Sequence, residues 1–148
     1  ATMGEEVPVF LCVMKGGLMF TSELMKRIQS PIELDYLHVD RYRNKTHGSA
    51  IHWHKEPDID LTGRLVLLVD DIFDEGYTMQ ELIAYCKAKG ARKVLSVVLL
   101  KKILAKNHLK IEPDFVGLTT TDRYVFGWGM DYKGYWRNLS SVYAVSEG

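Results

Sequence analysis

Apolar residues along this chain come in short runs separated by polar breaks. Residues 7–13 (VPVFLCV) form the first run and read as a buried strand. Residues 18–28 change period: Phe20, Leu24, Met25 and Ile28 fall on one side of a helix, and Pro31 stops it. Residues 32–39 read as a second strand, and residues 40–63 turn polar with few apolar anchors. Residues 65–69 (LVLLV) are apolar throughout, as expected of a strand covered on both faces in a parallel sheet. Met79, Leu82, Ile83 and Cys86 then repeat at i, i+3, i+4 and i+7, one stripe of a helix. Thr78 and Glu81 have capping-box spacing at its start, and Gly90 follows Lys87 and Lys89 at its end. Residues 94–100 and 113–118 read as further strands, and residues 142–145 as a closing edge strand.

Composition narrows the classes. With 148 residues there is room for one domain with a real core. Nineteen basic residues cancel nineteen acidic ones, which argues against nucleic acid or an anionic membrane as the main partner. No apolar run approaches the ~18 residues of a membrane span. Glu5 and Glu6 precede the first strand, which is unlike a signal peptide. Cys12 sits in an apolar strand and Cys86 on a helix's apolar stripe, so both read as small buried hydrophobes in a reducing, cytoplasmic setting.

The candidate chemistry gathers at the ends of strands. After residues 65–69 come Asp70 and Asp71, then Asp74, Glu75, Gly76, Tyr77 and Thr78, then a helix. A helix N-terminus behind a glycine turn presents backbone N–H groups to an anion. Carboxylates beside an anion site call for a cation between them, and Mg²⁺ fits that demand. After the first strand, Lys15, Gly16 and Gly17 form a second turn that admits an anion close to the backbone, with Lys15 as a point charge. His47, His52 and His54 match no strong zinc spacing, and their polar segment reads as a solvated loop or lid. Lys101 and Lys102 end a buried strand.

The string LLVDDIFDEGYT resembles the phosphoribosyl pyrophosphate motif of type I phosphoribosyltransferases, and DRYVFGWGMDYKGYWRNL resembles the purine-binding end of their hypoxanthine-guanine members. The resemblance runs from Val7 to Ser146. It implies an α/β fold: a mostly parallel sheet with helices on both faces, a site beyond the strands' carboxyl ends, and a small hood over the base. It implies transfer of the phosphoribosyl group to hypoxanthine or guanine with release of pyrophosphate. By the same resemblance Asp70 and Asp71 face the ribose hydroxyls and the metal, and residues 74–78 wrap the 5′-phosphate. Lys15, Gly16 and Gly17 would contact pyrophosphate, with a bond before Lys15 that can be cis. Asp74 would act near the purine N7 and Lys102 at O6, with Lys101 as the fallback. Arg123, Tyr124 and Val125 would line the base, with Tyr124 stacking on it. Asp131 would be a second metal-side carboxylate, and Arg137 would lie near pyrophosphate. Residues 40–55 correspond to a mobile loop, with Arg41 and Tyr42 at its start. Relatives usually carry a segment before the first strand, which this chain is expected to lack, and they form dimers or tetramers. Two rivals follow from the same motifs: another base specificity, such as xanthine-guanine, and a nucleotide-sensing regulator that binds RNA or DNA.

Overall fold

A computed structural model describes residues 6–41, 51–104 and 109–146. The element order is β1 (Val9–Met14), α1 (Leu18–Lys26), β2 (Glu33–Arg41), β3 (Ile51–Lys55), β4 (Leu65–Phe73), α2 (Tyr77–Ala88), β5 (Lys93–Ile103), β6 (Phe115–Thr121), β7 (Val125–Phe126) and β8 (Tyr143–Ala144). The first six strands make one sheet in the order β3-β2-β1-β4-β5-β6. All its pairings are parallel except β2 with β3.

Alternation along the central strands feeds a core on each face. Val9, Leu11 and Val13 of β1 join Met79, Leu82 and Cys86 of α2. Phe10, on the other face, joins Phe20 of α1, with Leu24 and Met25 packed beside it. A strand buried on both sides must be apolar at nearly every position, and residues 65–69 are. Ser96 is fully buried yet polar. Its N–H donates to Asp114 Oδ2 at 2.8 Å and its hydroxyl accepts from the Asp114 N–H at 3.0 Å, which ties β5 to the approach of β6.

Several expectations shift. The acidic pair lies inside β4, which continues through Phe73, rather than after the strand. The reason is the partner on one side only: β1 pairs with β4 up to Cys12 and Val69, whereas β5 continues to pair through Phe73 and Lys101. The supposed capping box is absent. The α2 N-cap is Gly76, with φ 95° and no side-chain cap, and Thr78 lies within the helix. The loop expected over residues 40–55 is bounded by strand: Asp40 and Arg41 end β2, and residues 51–55 are β3. Residues 42–50 of that expectation lie outside the described residues. The last strand, β8, does not edge the main sheet. It pairs antiparallel with β7 in a small separate sheet, and that sheet forms the hood. Trp128 fixes the hood to the domain by packing on Phe20, ring centroids 6.0 Å apart.

Candidate active site

The sheet reverses direction at β1: the chain moves to β2 on one side, and β4 fills the other. Such a switch point opens a crevice beyond the strands' carboxyl ends. Here the crevice is a cleft of about 470 Å³, lined by Gly16, Arg41, Asp70 to Thr78 and Arg137 among others.

Asp70 and Asp71 sit where β1 stops pairing. Each accepts the next residue's backbone N–H, Asp70 from Asp71 at 2.8 Å and Asp71 from Ile72 at 2.7 Å. Asp70 is buried. Burial, then the neighbouring Asp71 charge, pushes its carboxyl well above the ordinary range. The Lys15–Gly16–Gly17 turn closes over this pair. A Cβ on Gly16 would collide with the Asp71 carboxylate, and one on Gly17 would lie 2.8 Å from the Val13 carbonyl and 2.9 Å from that of Val69. Only glycine lets the turn approach both strands. The Met14–Lys15 bond is cis.

Residues 74–78 bend from β4 into α2. Gly76 needs its left-handed φ, and a Cβ there would lie 2.7 Å from Phe73 Cζ. The helix end therefore faces the cleft with its first N–H groups. Arg41 is marked in the sequence only as a loop start. It reaches across from β2, donates to Thr78 Oγ1 at 3.3 Å, and lies 5.2 Å over the Tyr77 ring. Thirty-seven residues separate Arg41 from Thr78, so no local pattern could have exposed this contact. Glu81 comes one turn further. Its Oε1 is buried without a hydrogen-bond partner among the described residues. Burial raises its carboxyl, with Arg41 pulling the other way.

Lys102 separates from Lys101 by strand alternation. Lys102 Nζ lies 3.1 Å from Asp74 Oδ2 and 3.6 Å from Asp122 Oδ1, with its side chain 12% exposed. Lys101 instead pairs with Glu112. Nothing in the local sequence of Asp122 marks it as a lysine partner. Lys102 and Asp74 also line a smaller cavity with Phe73, Lys101, Ile103 and Leu104.

The hood holds the remaining residues. Arg123 and Tyr124 are exposed where the chain enters β7, and Val125 is half-buried in it. Tyr124 donates its hydroxyl to the Asp131 carbonyl at 3.1 Å and meets Tyr132 edge-on. Arg137 donates to the Gly129 carbonyl at 2.8 Å and reaches the cleft wall. Asp131 does not line the cleft. It accepts the Gly134 N–H at 2.8 Å and lies 3.7 Å from Arg137. The structure thus brings Gly16, the acidic pair, residues 74–78 and Arg137 to one cleft, and sets Lys102 on its Asp74 edge.

Residues 1–134 match the phosphoribosyl transferase domain family. The chain belongs to the phosphoribosyltransferase family. It is 35% identical over 136 residues to the hypoxanthine-guanine phosphoribosyltransferase of Bacillus subtilis, covering 91% of this chain and 75% of that one. It is also 35% identical over 136 residues to the bifunctional protein TilS/HprT of Listeria monocytogenes, spanning 91% of this chain but only 21% of that longer protein. Among solved structures, a hypoxanthine phosphoribosyltransferase from Staphylococcus aureus superimposes with a TM-score of 0.89 at 26% identity, covering 96% of this chain and 77% of that one. The mostly parallel α/β fold of this chain is thus the fold of that hypoxanthine phosphoribosyltransferase.

The donor set at the acidic pair suits a hard divalent cation. Two carboxyl side chains stand together, one buried and disfavoured in its charged form by burial and by its neighbour, a repulsion that a divalent cation would relieve, beside a helix end suited to phosphate.

Proposed function

We propose that the protein transfers the 5-phosphoribosyl group from phosphoribosyl pyrophosphate to hypoxanthine or guanine, giving the nucleoside monophosphate and pyrophosphate. The observation that carries this reading is Lys102, held beside Asp74 at the edge of the cleft that contains the phosphate loop and the acidic pair. An ammonium group donates to a 6-oxo group and has nothing to accept from an amine.

In this reading the α2 N-terminus and the 74–78 turn hold the 5′-phosphate through backbone N–H groups. Asp70 and Asp71 would hold Mg²⁺, which supplies charge neutralisation for pyrophosphate when bound, while Asp131, outside the cleft lining, keeps Arg137 and the Gly134 N–H as partners. Lys15, Gly16 and Gly17, with Arg137, orient the pyrophosphate. Asp74 accepts or removes the proton at purine N7. Lys102 stabilises charge developing at O6. Tyr124 and Val125 pack against the base, with Arg123 at the rim. Arg41 braces Tyr77 and Thr78, and so steadies the phosphate turn from across the cleft.

Assembly as a dimer or tetramer belongs to the same reading and is supported by exposed apolar side chains such as Leu34 on β2 and Phe115 and Leu118 on the edge strand β6. A cytoplasmic location rests on the two buried thiols. No helix of the described residues is long and apolar enough to cross a membrane.

The test is a spectrophotometric assay of hypoxanthine, guanine, xanthine and adenine with phosphoribosyl pyrophosphate and Mg²⁺. Turnover of the first two supports the proposal. A preference for xanthine would reassign the base. No turnover with any base, together with retention of RNA or DNA on a filter, would favour the regulator.

A further inference from the structure

The strands beside the cleft carry chemistry that the transfer reaction does not use. His38 and Asp40 are two residues apart on β2, and His52 and His54 are two apart on β3. Alternation puts each pair on one face of the sheet. The intervening Val39 and Trp53, with Leu37 and Ile51, pack on the opposite face with the α2 core. Register then brings the pairs together. Asp40 lies opposite His52, and the pairing shifts between His38 and Val39.

The result is a compact group. His54 Nε2 lies 2.6 Å from Asp40 Oδ2. The His38 ring stacks on that of His54 with centroids 4.5 Å apart, and the His52 ring meets His54 edge-on at 4.6 Å. One ligand atom from each of His38, Asp40 and His54 lies within 4.8 Å of the others. A histidine–aspartate hydrogen bond alone accounts for the shortest of these contacts. It gives no reason for a second imidazole against the first, since two such rings repel once protonated. The Asp40 and His54 side chains are 63% and 38% exposed, so an ion and its waters have access.

We propose that His38, Asp40 and His54 bind a divalent transition-metal ion. Two imidazole nitrogens and one carboxylate oxygen make a donor set suited to Zn²⁺, with remaining positions for water. That set differs from the all-oxygen pair Asp70 and Asp71, so the two sites select different cations.

Excess Mg²⁺ occupies hard-oxygen sites and leaves a mixed nitrogen–oxygen site free for Zn²⁺. Calorimetric titration of the whole protein with Zn²⁺ in excess Mg²⁺ should therefore show about one equivalent bound per chain. His38→Ala and His54→Ala should each weaken that binding by about tenfold or more, with melting temperatures in chelator close to that of the unmodified protein. Binding that is equal in all three proteins, or absent from the unmodified one, overturns the proposal. Ring nitrogen NMR of the unmodified protein gives a readout independent of variant folding. Zn²⁺ should shift the imidazole signals of His38 and His54 among the chain's five histidines, and unmoved signals overturn it as well.

Discussion

At the scale of single residues, the pairing of Lys102 with Asp74 concentrates the proposed chemistry. A charged donor left without its acceptor in a partly desolvated pocket costs about 2–5 kcal/mol, roughly 30- to 5,000-fold in kcat/KM. Hypoxanthine should therefore be preferred over adenine by that order. Lys102→Ala should lose 6-oxopurine turnover more than any residual adenine turnover. Comparable kcat/KM for adenine and hypoxanthine in the unmodified protein would falsify the assignment. Asp74→Asn removes the proton acceptor while preserving shape, and kcat should fall by roughly 10²- to 10⁴-fold. Because Asp122 also faces Lys102, the lysine keeps an anionic partner in that variant, so a stable fold is expected. Stopped-flow or steady-state turnover near that of the unmodified protein would remove Asp74 from the mechanism. Gly76→Val is a different kind of change. It forces a β-branched residue to φ 95° and sets a Cβ against Phe73. The affinity for phosphoribosyl pyrophosphate should drop, as read by calorimetry, and an unchanged Kd in the folded variant would place the phosphate elsewhere.

At the scale of elements, the site depends on strands that hold position while their ends diverge. Leu82 anchors α2 in the core and is fully buried. Leu82→Ala should cost about 2–5 kcal/mol in urea unfolding and loosen the helix whose first turn lines the cleft. Asp35 holds the segment after β3 in a similar way. Its Oδ2 accepts the N–H groups of Asp58 at 2.6 Å and Ile59 at 2.9 Å, and its Oδ1 that of Tyr36 at 2.8 Å. Burial raises this carboxyl, but the three donors outweigh burial and leave it below its ordinary value. Because the folded pKa is depressed, this stabilisation is present above the unfolded value of about 3.9 and is lost as pH falls through the folded one. Asp35→Asn should therefore lower the urea midpoint near neutral pH, by roughly 1–3 kcal/mol in stability, and the two proteins should converge in acid. A constant gap down to pH 2 would mean that the charge is not what holds the segment.

At the scale of the whole molecule, the cleft opens where β1 and β4 part. β1 stops pairing after Cys12 and Val69 while β4 runs on beside β5, so Asp70 and Asp71 line a crevice rather than a ladder. The sequence by itself determined the alternation of strands and helices, because burial on two faces demands unbroken apolar runs. It also determined the two glycine turns and the acidic pair: Gly16 and Gly17 stand where a Cβ would meet Asp71 and the Val13 and Val69 carbonyls, and Gly76 where φ is left-handed. The period-2 pattern of Ile51 and Trp53 against His52 and His54 was there too. It was short and set in a polar stretch, which concealed β3 within an expected loop. Only the tertiary structure decided the rest. Strand alternation and the nearby Asp122 put Lys102 rather than Lys101 on Asp74. Cross-sheet reach gave Thr78 to Arg41 instead of a cap. The small sheet β7–β8 carried the C-terminal strand away from the main sheet. The shifted β2–β3 register brought His38 to His54. Each of these is a contact between segments distant in sequence, fixed by register and packing, and local propensity carries no record of such contacts.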